Sequence, residues 1–367
     1  MTAPESASTS QALGICLRPE YDEHALGKLA AYAQAAEKKG FHSVWLAESW
    51  GMDATVLLGH IGAHTKSIRL GTAILNVYSR TPGLMAMAAE SLNELYPGRF
   101  ILGLGASTKA VIEGFHGIPF SKPAARMREV AQIVRKATAG EQVDFKGKTV
   151  SLQGYRLRVP PRCPPPPIYM AALGDVSMKV VAEVADGWIP YLTPLRGLAA
   201  KAAELRAGAR AAGRPENAVS IAPLVETAVS HDREQARNVV RRHIAMYLGA
   251  MGPHYRGFVA SFGFEKEVET IQATWEAKQR DAARAAVTEE MIDQMSVSGT
   301  PAECREQLAR LREAGVDLPI LFFPGECTNE MVELAIDTLT ADTLIADPST
   351  ADKLTETPTD NNAKANA

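Results

Sequence analysis

The sequence is short of several things at once. Only four cysteines occur in 367 residues, Cys16, Cys163, Cys304 and Cys327, far apart and without a CxxC spacing. A disulfide framework or a zinc site is therefore not expected, and a reducing cytoplasm is the simplest compartment. There is no long basic block: 39 Lys and Arg stand against 42 Asp and Glu, for a net charge of −3. The electrostatic footprint of a nucleic-acid binder is missing. No apolar run reaches transmembrane length, and the start, MTAPESASTS, lacks the basic-then-apolar order of a signal peptide. His42, His60 and His64 form no HExxH spacing, so metal binding has no support. No GxGxxG opens the first βα unit.

What is present is ordinary globular composition, 46% hydrophobic and 22% charged, enough for two average domains or one large α/β barrel. One phrase recurs: an Ala-rich amphipathic run, a Gly, then a short β-branched or aromatic run. It reads AAEKKGFHSVWLAE (35–48), VAEVADGWIPYL (181–192), ARAAGRPENAVSIAPLVE (209–226) and LREAGVDLPILFFP (311–324). Each Gly stands where a helix C-cap asks for a left-handed residue, with a strand close behind. Strands are expected at 13–17, 43–47, 69–75, 99–104, 168–172, 187–190, 219–226 and 318–323. Helices are expected at 23–39, 53–66, 82–95, 124–138, 176–185, 197–211, 233–249, 265–285 and 301–314. Apolar strands alternating with helices imply a parallel sheet covered by helices, an α/β fold best read as a (β/α)8 TIM barrel with insertions. A doubly wound open sheet is the rival. Residues 13–345 read as one barrel domain with insertions near 140–166, a small hairpin, and 248–290. Residues 1–12 and 346–367 read as disordered tails.

In a barrel the functional loops follow the C-terminal ends of the strands. Strand three should end near Leu75, which puts Ala73, Ile74, Asn76 and Tyr78 on the rim of a cavity, with Thr81 and Pro82 capping the next helix. Strand four ends in GLGAS, where Gly105, Ala106 and Ser107 suit a phosphate nest; a plain turn is the alternative. Strand five runs through Leu173 and Gly174 into a helix opening with Asp175, Val176 and Ser177, again small residues suited to an anion. Glu48 ends strand two, as a catalytic carboxylate or a loop salt bridge, and Trp50 could wall a pocket for a planar ring. His116 is a proton carrier or a loop hydrogen-bonder, and Asp53 is most simply a helix cap.

The run from Glu48 to Ser107, with HGIPF (116–120), PPPPIYMAALG (164–174), ADGWIP (185–190) and VSGTPAECREQLARLREAGVD (297–317), resembles the luciferase-like monooxygenase superfamily. Within it, the chain is similar to the branch that uses the deazaflavin F420, including methylenetetrahydromethanopterin reductase and F420-dependent glucose-6-phosphate dehydrogenase. The resemblance covers residues 13 to 340. It implies a (β/α)8 barrel and a non-prolyl cis peptide at Ala73–Ile74 backing the cofactor ring, with Asn76 at the ring edge. It further implies that Gly105, Ala106, Ser107, Leu173, Gly174, Asp175, Val176 and Ser177 receive the phosphate and side chain. Where the sugar-phosphate enzyme has Asp-His this chain has Glu48-Ser49, so that sugar is not the implied substrate. Glu48 is then the candidate that protonates or orients a substrate, with Trp50, Tyr78 and His116 in the pocket wall. The activity implied is hydride transfer between C5 of F420 and an organic molecule. An FMN-dependent monooxygenase and a barrel that binds F420 or flavin without turnover are the alternatives. Superfamily members commonly pair through barrel helices, which implies a homodimer.

Overall fold

The computed structural model describes residues 12–19 and 24–340. The tails expected at 1–12 and 346–367 lie, Ala12 apart, outside the described residues. Strands β1 (Gly14–Leu17), β2 (Ser43–Leu46), β3 (Arg69–Thr72), β4 (Leu75–Asn76) and β5 (Phe100–Gly105) are interleaved with helices α1 (Ala25–Lys38), α2 (Ala54–His64) and α3 (Pro82–Leu95). Helices α4 (Lys109–Gly114) and α5 (Pro123–Thr138) lead to an antiparallel hairpin of β6 (Val143–Lys146) and β7 (Ser151–Tyr155). Then come β8 (Ile168–Met170), α6 (Asp175–Val184), β9 (Gly187–Trp188), α7 (Leu195–Ala211), β10 (Ser220–Ile221) and β11 (Leu224–Val229). A helical block follows: α8 (Arg233–Ala250), α9 (Pro253–Val259), a π turn at 260–264, α10 (Glu265–Glu276), α11 (Arg280–Ala285) and α12 (Glu289–Met295). The chain closes with β12 (Ser296–Gly299), α13 (Pro301–Glu313), β13 (Ile320–Phe322) and α14 (Asn329–Thr338).

β10 and β11 are two halves of one strand, interrupted at Ala222–Pro223. The first half pairs with β9 and the second with β13, while Ala222 and Leu224 donate to the Trp188 and Pro190 carbonyls at 2.8 and 2.9 Å. That split strand closes the sheet. Among the described residues, going round, the order is β1, β2, β3/β4, β5, β8, β9, β10/β11, β13 and back to β1, every pairing parallel. The barrel is the architecture; the open-sheet rival is set aside. Cys16, Trp45, Ile101, Tyr169, Ile189 and Ile320 fill its interior, and a larger apolar layer lies between strands and helices.

The elements form where local chemistry favours them. Asp53 accepts from the Thr55 and Val56 amides to start α2; Thr81 caps α3 with Pro82 in its first turn; Thr300 and Glu303 make a reciprocal capping box on α13. Gly40, Gly213 and Gly315 end helices with φ of 78°, 75° and 84°. The fourth glycine of the repeated phrase differs: Gly187 lies in β9, and a Cβ there would fall 2.5 Å from the Tyr169 ring. Close packing, not a left-handed turn, accounts for it. Strand β12 was not expected from the sequence because SVSG is too polar to read as buried. The structure satisfies it internally: the Gln307 amide bonds both the N–H and the carbonyl of Ser298, at 2.7 and 3.1 Å.

Candidate functional site

Strand three, expected to run to Leu75, breaks after Thr72, at the bulge that the resemblance implied, though by another device. The ladder to β5 runs from Leu70 and Gly71, skips three residues opposite two on β5 and resumes at Leu75 and Asn76. In the gap the Thr72 hydroxyl takes the ladder's place, accepting from the Gly103 N–H at 2.8 Å and donating to the Gly103 carbonyl at 2.9 Å. The Ala73–Ile74 peptide expected to be cis is trans, as are all peptide bonds among the described residues. A trans bond at a non-prolyl residue lies about 3–4 kcal/mol lower, and with Thr72 satisfying Gly103 the bulge forms without the cis isomer.

The bulge sits on glycine. A Cβ at Gly103 would stand 1.7 Å from the Thr72 carbonyl oxygen, and one at Gly105 2.8 Å from the Ile74 side chain. The next residues, Ala106 and Ser107, turn the chain, Ser107 with φ of 59°. Across β8, Leu173 and Gly174 lead to α6, whose N-terminus has no side-chain cap. Nothing lies within 4 Å of a Cβ placed on Gly174, and Val176 is 70% exposed. The Ser177 hydroxyl donates backwards to the Gly174 carbonyl at 2.7 Å, so first-turn amides stay available to an anion. Lys201 on α7, which sequence reasoning missed, reaches Asp175 at 3.5 Å and puts a cation beside that turn.

Glu48 is engaged. Arg80 donates to both its oxygens, at 2.5 and 2.8 Å, the Ala54 amide donates at 3.1 Å, and Arg80 also pairs with Asp53 at 2.5 Å. Asn76 is buried; its Oδ1 accepts from the Tyr78 and Ser79 amides at 3.0 and 2.7 Å, and its Nδ2 lies 3.4 Å from His116 Nε2. Tyr78 is also buried, its hydroxyl donating to Ser121 at 2.8 Å and its ring against Phe120 and Arg126. It braces the loop that carries His116. Trp50, 60% exposed, stands at the rim.

Across the mouth is a second group the sequence reading did not name. Tyr191, after β9, donates its hydroxyl to Glu226 Oε1 on β11; His243 Nε2 on α8 lies 2.9 Å from that hydroxyl and 3.3 Å from the same carboxylate oxygen. Tyr247, Tyr255 and Phe322 pack edge-on around Tyr191. Burial, and then the neighbouring carboxylate, push the Tyr191 hydroxyl well above its usual pKa. The signal was available: in SIAPLVETAV (220–229) one Glu sits two residues beyond inward-facing Leu224, hence inward itself.

Residues 7–318 match the model of the luciferase-like monooxygenase family. A 5,10-methylenetetrahydromethanopterin reductase of Archaeoglobus fulgidus is 30% identical over 292 residues, 79% of this chain and 87% of that protein. An F420-dependent glucose-6-phosphate dehydrogenase of Kineococcus radiotolerans is 28% identical over 303 residues, 77% of this chain and 89% of its own. The solved coenzyme F420-dependent tetrahydromethanopterin reductase from Methanopyrus kandleri shares the fold with a TM-score of 0.76 at 23% identity, over 89% of this chain and 97% of that one.

Proposed function

The chain belongs to the luciferase-like monooxygenase family, and from that premise we propose that it is an F420-dependent oxidoreductase passing a hydride between C5 of the deazaflavin and a small organic substrate. The observation that carries the reading is the small-residue half of the mouth, which runs from the Ala73–Ile74 bulge over Gly105 to the uncapped start of α6. The bulge would back the flat ring, with Asn76 beside it. The backbone amides of Ala106, Ser107 and Val176 would hold the phosphate, with Leu173, Gly174, Asp175, Ser177 and Lys201 nearby. When bound, the deazaflavin supplies the two electrons of the reaction; the protein orients the reactants and excludes water. Glu48, held by Arg80, fixes the β2 loop and orients what enters between Trp50 and His116.

Titration of the purified protein with F420 and with FMN tests the cofactor. Steady-state oxidation of reduced F420 with unsaturated carbonyl compounds, imines and pterins tests turnover. Tight F420 binding with turnover is the expected result. Preference for FMN would favour the monooxygenase reading, and binding without turnover a carrier.

Leu26, Val56, Leu84 and Met87 are large apolar side chains left 44 to 69% exposed on the adjoining helices α1, α2 and α3. A second copy of the chain covers them in the proposed homodimer. No helix among the described residues is long and apolar enough to cross a membrane, and the cytoplasm is the proposed compartment.

A further inference from the structure

We infer that Glu226 is the residue that gives or takes the proton accompanying hydride transfer, with Tyr191 and His243 as positioning residues that connect it to solvent. The inference rests on the oxidoreductase reading above and adds to it the group facing the substrate.

Topology carries the first part. Of the eight barrel positions among the described residues, β3/β4 is third and β10/β11 seventh. Strands four places apart in a ring of eight are diametrically opposed, so a ring lying on the Ala73–Ile74 bulge turns its free face toward Glu226. Chemistry carries the second part. Glu226 is 1% exposed; Oε1 takes the Tyr191 hydroxyl, and Oε2 has no hydrogen-bond partner. Leaving a buried carboxylate oxygen unpaired is costly, and such a group is where a substrate atom can bond.

The surroundings hold protons in reserve. Burial opposes charge on His243, but the Glu226 carboxylate and the bond to it, with a smaller contribution from Glu326, outweigh both burial and the nearby Arg18 and raise its pKa above 6.5. Burial, and then Glu226, push the Cys327 thiol up to about 12, and Cys16, near Glu226 inside the barrel, also reaches about 12. The hydroxyls of Tyr247 and Tyr255 are likewise raised, mainly by burial. Of the groups facing the carboxylate, the thiols and phenols keep their protons near neutral pH, and His243 is the one that exchanges.

In the reducing direction, hydride reaches the carbon of a C=C, C=N or C=O bond and the π pair moves to the partner atom. That atom takes its proton at Glu226, to which the His243 imidazolium passes one through the Tyr191 hydroxyl, leaving Glu226 a carboxylate and His243 neutral. The reverse direction uses the carboxylate as base.

The test compares wild type with Glu226→Gln and Glu226→Asp. Fluorescence titration should give F420 affinities within twofold of one another, since the opposite wall is untouched. NMR titration of the His243 imidazole, without cofactor, should find it above 6.5 in wild type and lower in Glu226→Gln. Single-turnover oxidation of reduced F420 by the best compound of the panel should fall 10²–10⁴-fold in Glu226→Gln. It should recover in part in Glu226→Asp, and Tyr191→Phe should shift its pH profile. A Glu226→Gln rate within threefold of wild type with the same profile, or an unchanged His243 titration, overturns the proton role while leaving the oxidoreductase reading intact. A wild-type protein that binds F420 and turns over no panel compound overturns both.

Discussion

Glu48 and Glu226 both stand near the ends of barrel strands, and their surroundings separate them. Three N–H donors converge on Glu48, and Arg80 ties it to Asp53. This is a clamp between the β2 and β4 loops, with Arg80 and Glu48 side chains only 11 and 10% exposed. Arg80→Ala strands that carboxylate and should cost about 3–5 kcal/mol, read as a lower denaturant midpoint in urea. Glu37 performs a similar task at the opposite end of the barrel, accepting from the amides of Lys66, Ser67 and Ile68. Burial pushes its carboxyl up, but those bonds outweigh it and bring the pKa from 4.5 to about 2. Its stabilisation is therefore complete above pH 4.5 and lost as pH falls toward 2. The melting temperature of Glu37→Gln should decline less steeply than that of wild type over that window.

At the scale of elements, the bulge and the uncapped helix make opposite demands on small residues. Gly103→Ala drives a Cβ into the Thr72 carbonyl, a backbone group that cannot swing aside. It should destabilise the fold by about 2 kcal/mol or more, measured by chemical denaturation. Gly174→Asp should cap α6, raising stability by a few tenths of a kcal/mol, while its carboxylate occupies the anion position and weakens F420 binding at least tenfold by titration. These elements explain what the sequence revealed. The barrel strands are legible because parallel strands buried on both faces read as continuous apolar runs. The small-residue wall of the mouth is legible because Gly103, Gly105 and Gly174 fall in short contiguous phrases. The helices α4, α9, α12 and α14 were missed, the first three being six or seven residues long, too short to express a helical period. Tyr191 and His243 do not stand out locally, and Glu226 shows only its inward register; barrel closure alone brings the three together.

At the scale of the molecule, the exposed apolar face of α1 to α3 has a measurable consequence. Light scattering after gel filtration should report a dimer, and Val56→Asp with Met87→Glu should yield a folded monomer. The split at Ala222–Pro223 matters to the whole ring, since Pro223 offers no N–H and its carbonyl still accepts from Ile320 at 2.8 Å. One strand can thus seal the barrel with its first half and, with its second, carry Glu226 and hold β12 beyond the seam.

The bulge, GLGAS and the start of α6 all precede residue 180 along the chain, whereas Tyr191, Glu226, His243 and Phe322 all follow it. A crossover in the turn before β9 would therefore graft the back portion of a relative onto this front portion. Such hybrids should keep the small-residue wall, Lys201 apart, while exchanging the group around Glu226, so that coenzyme binding holds and the pH profile of turnover changes.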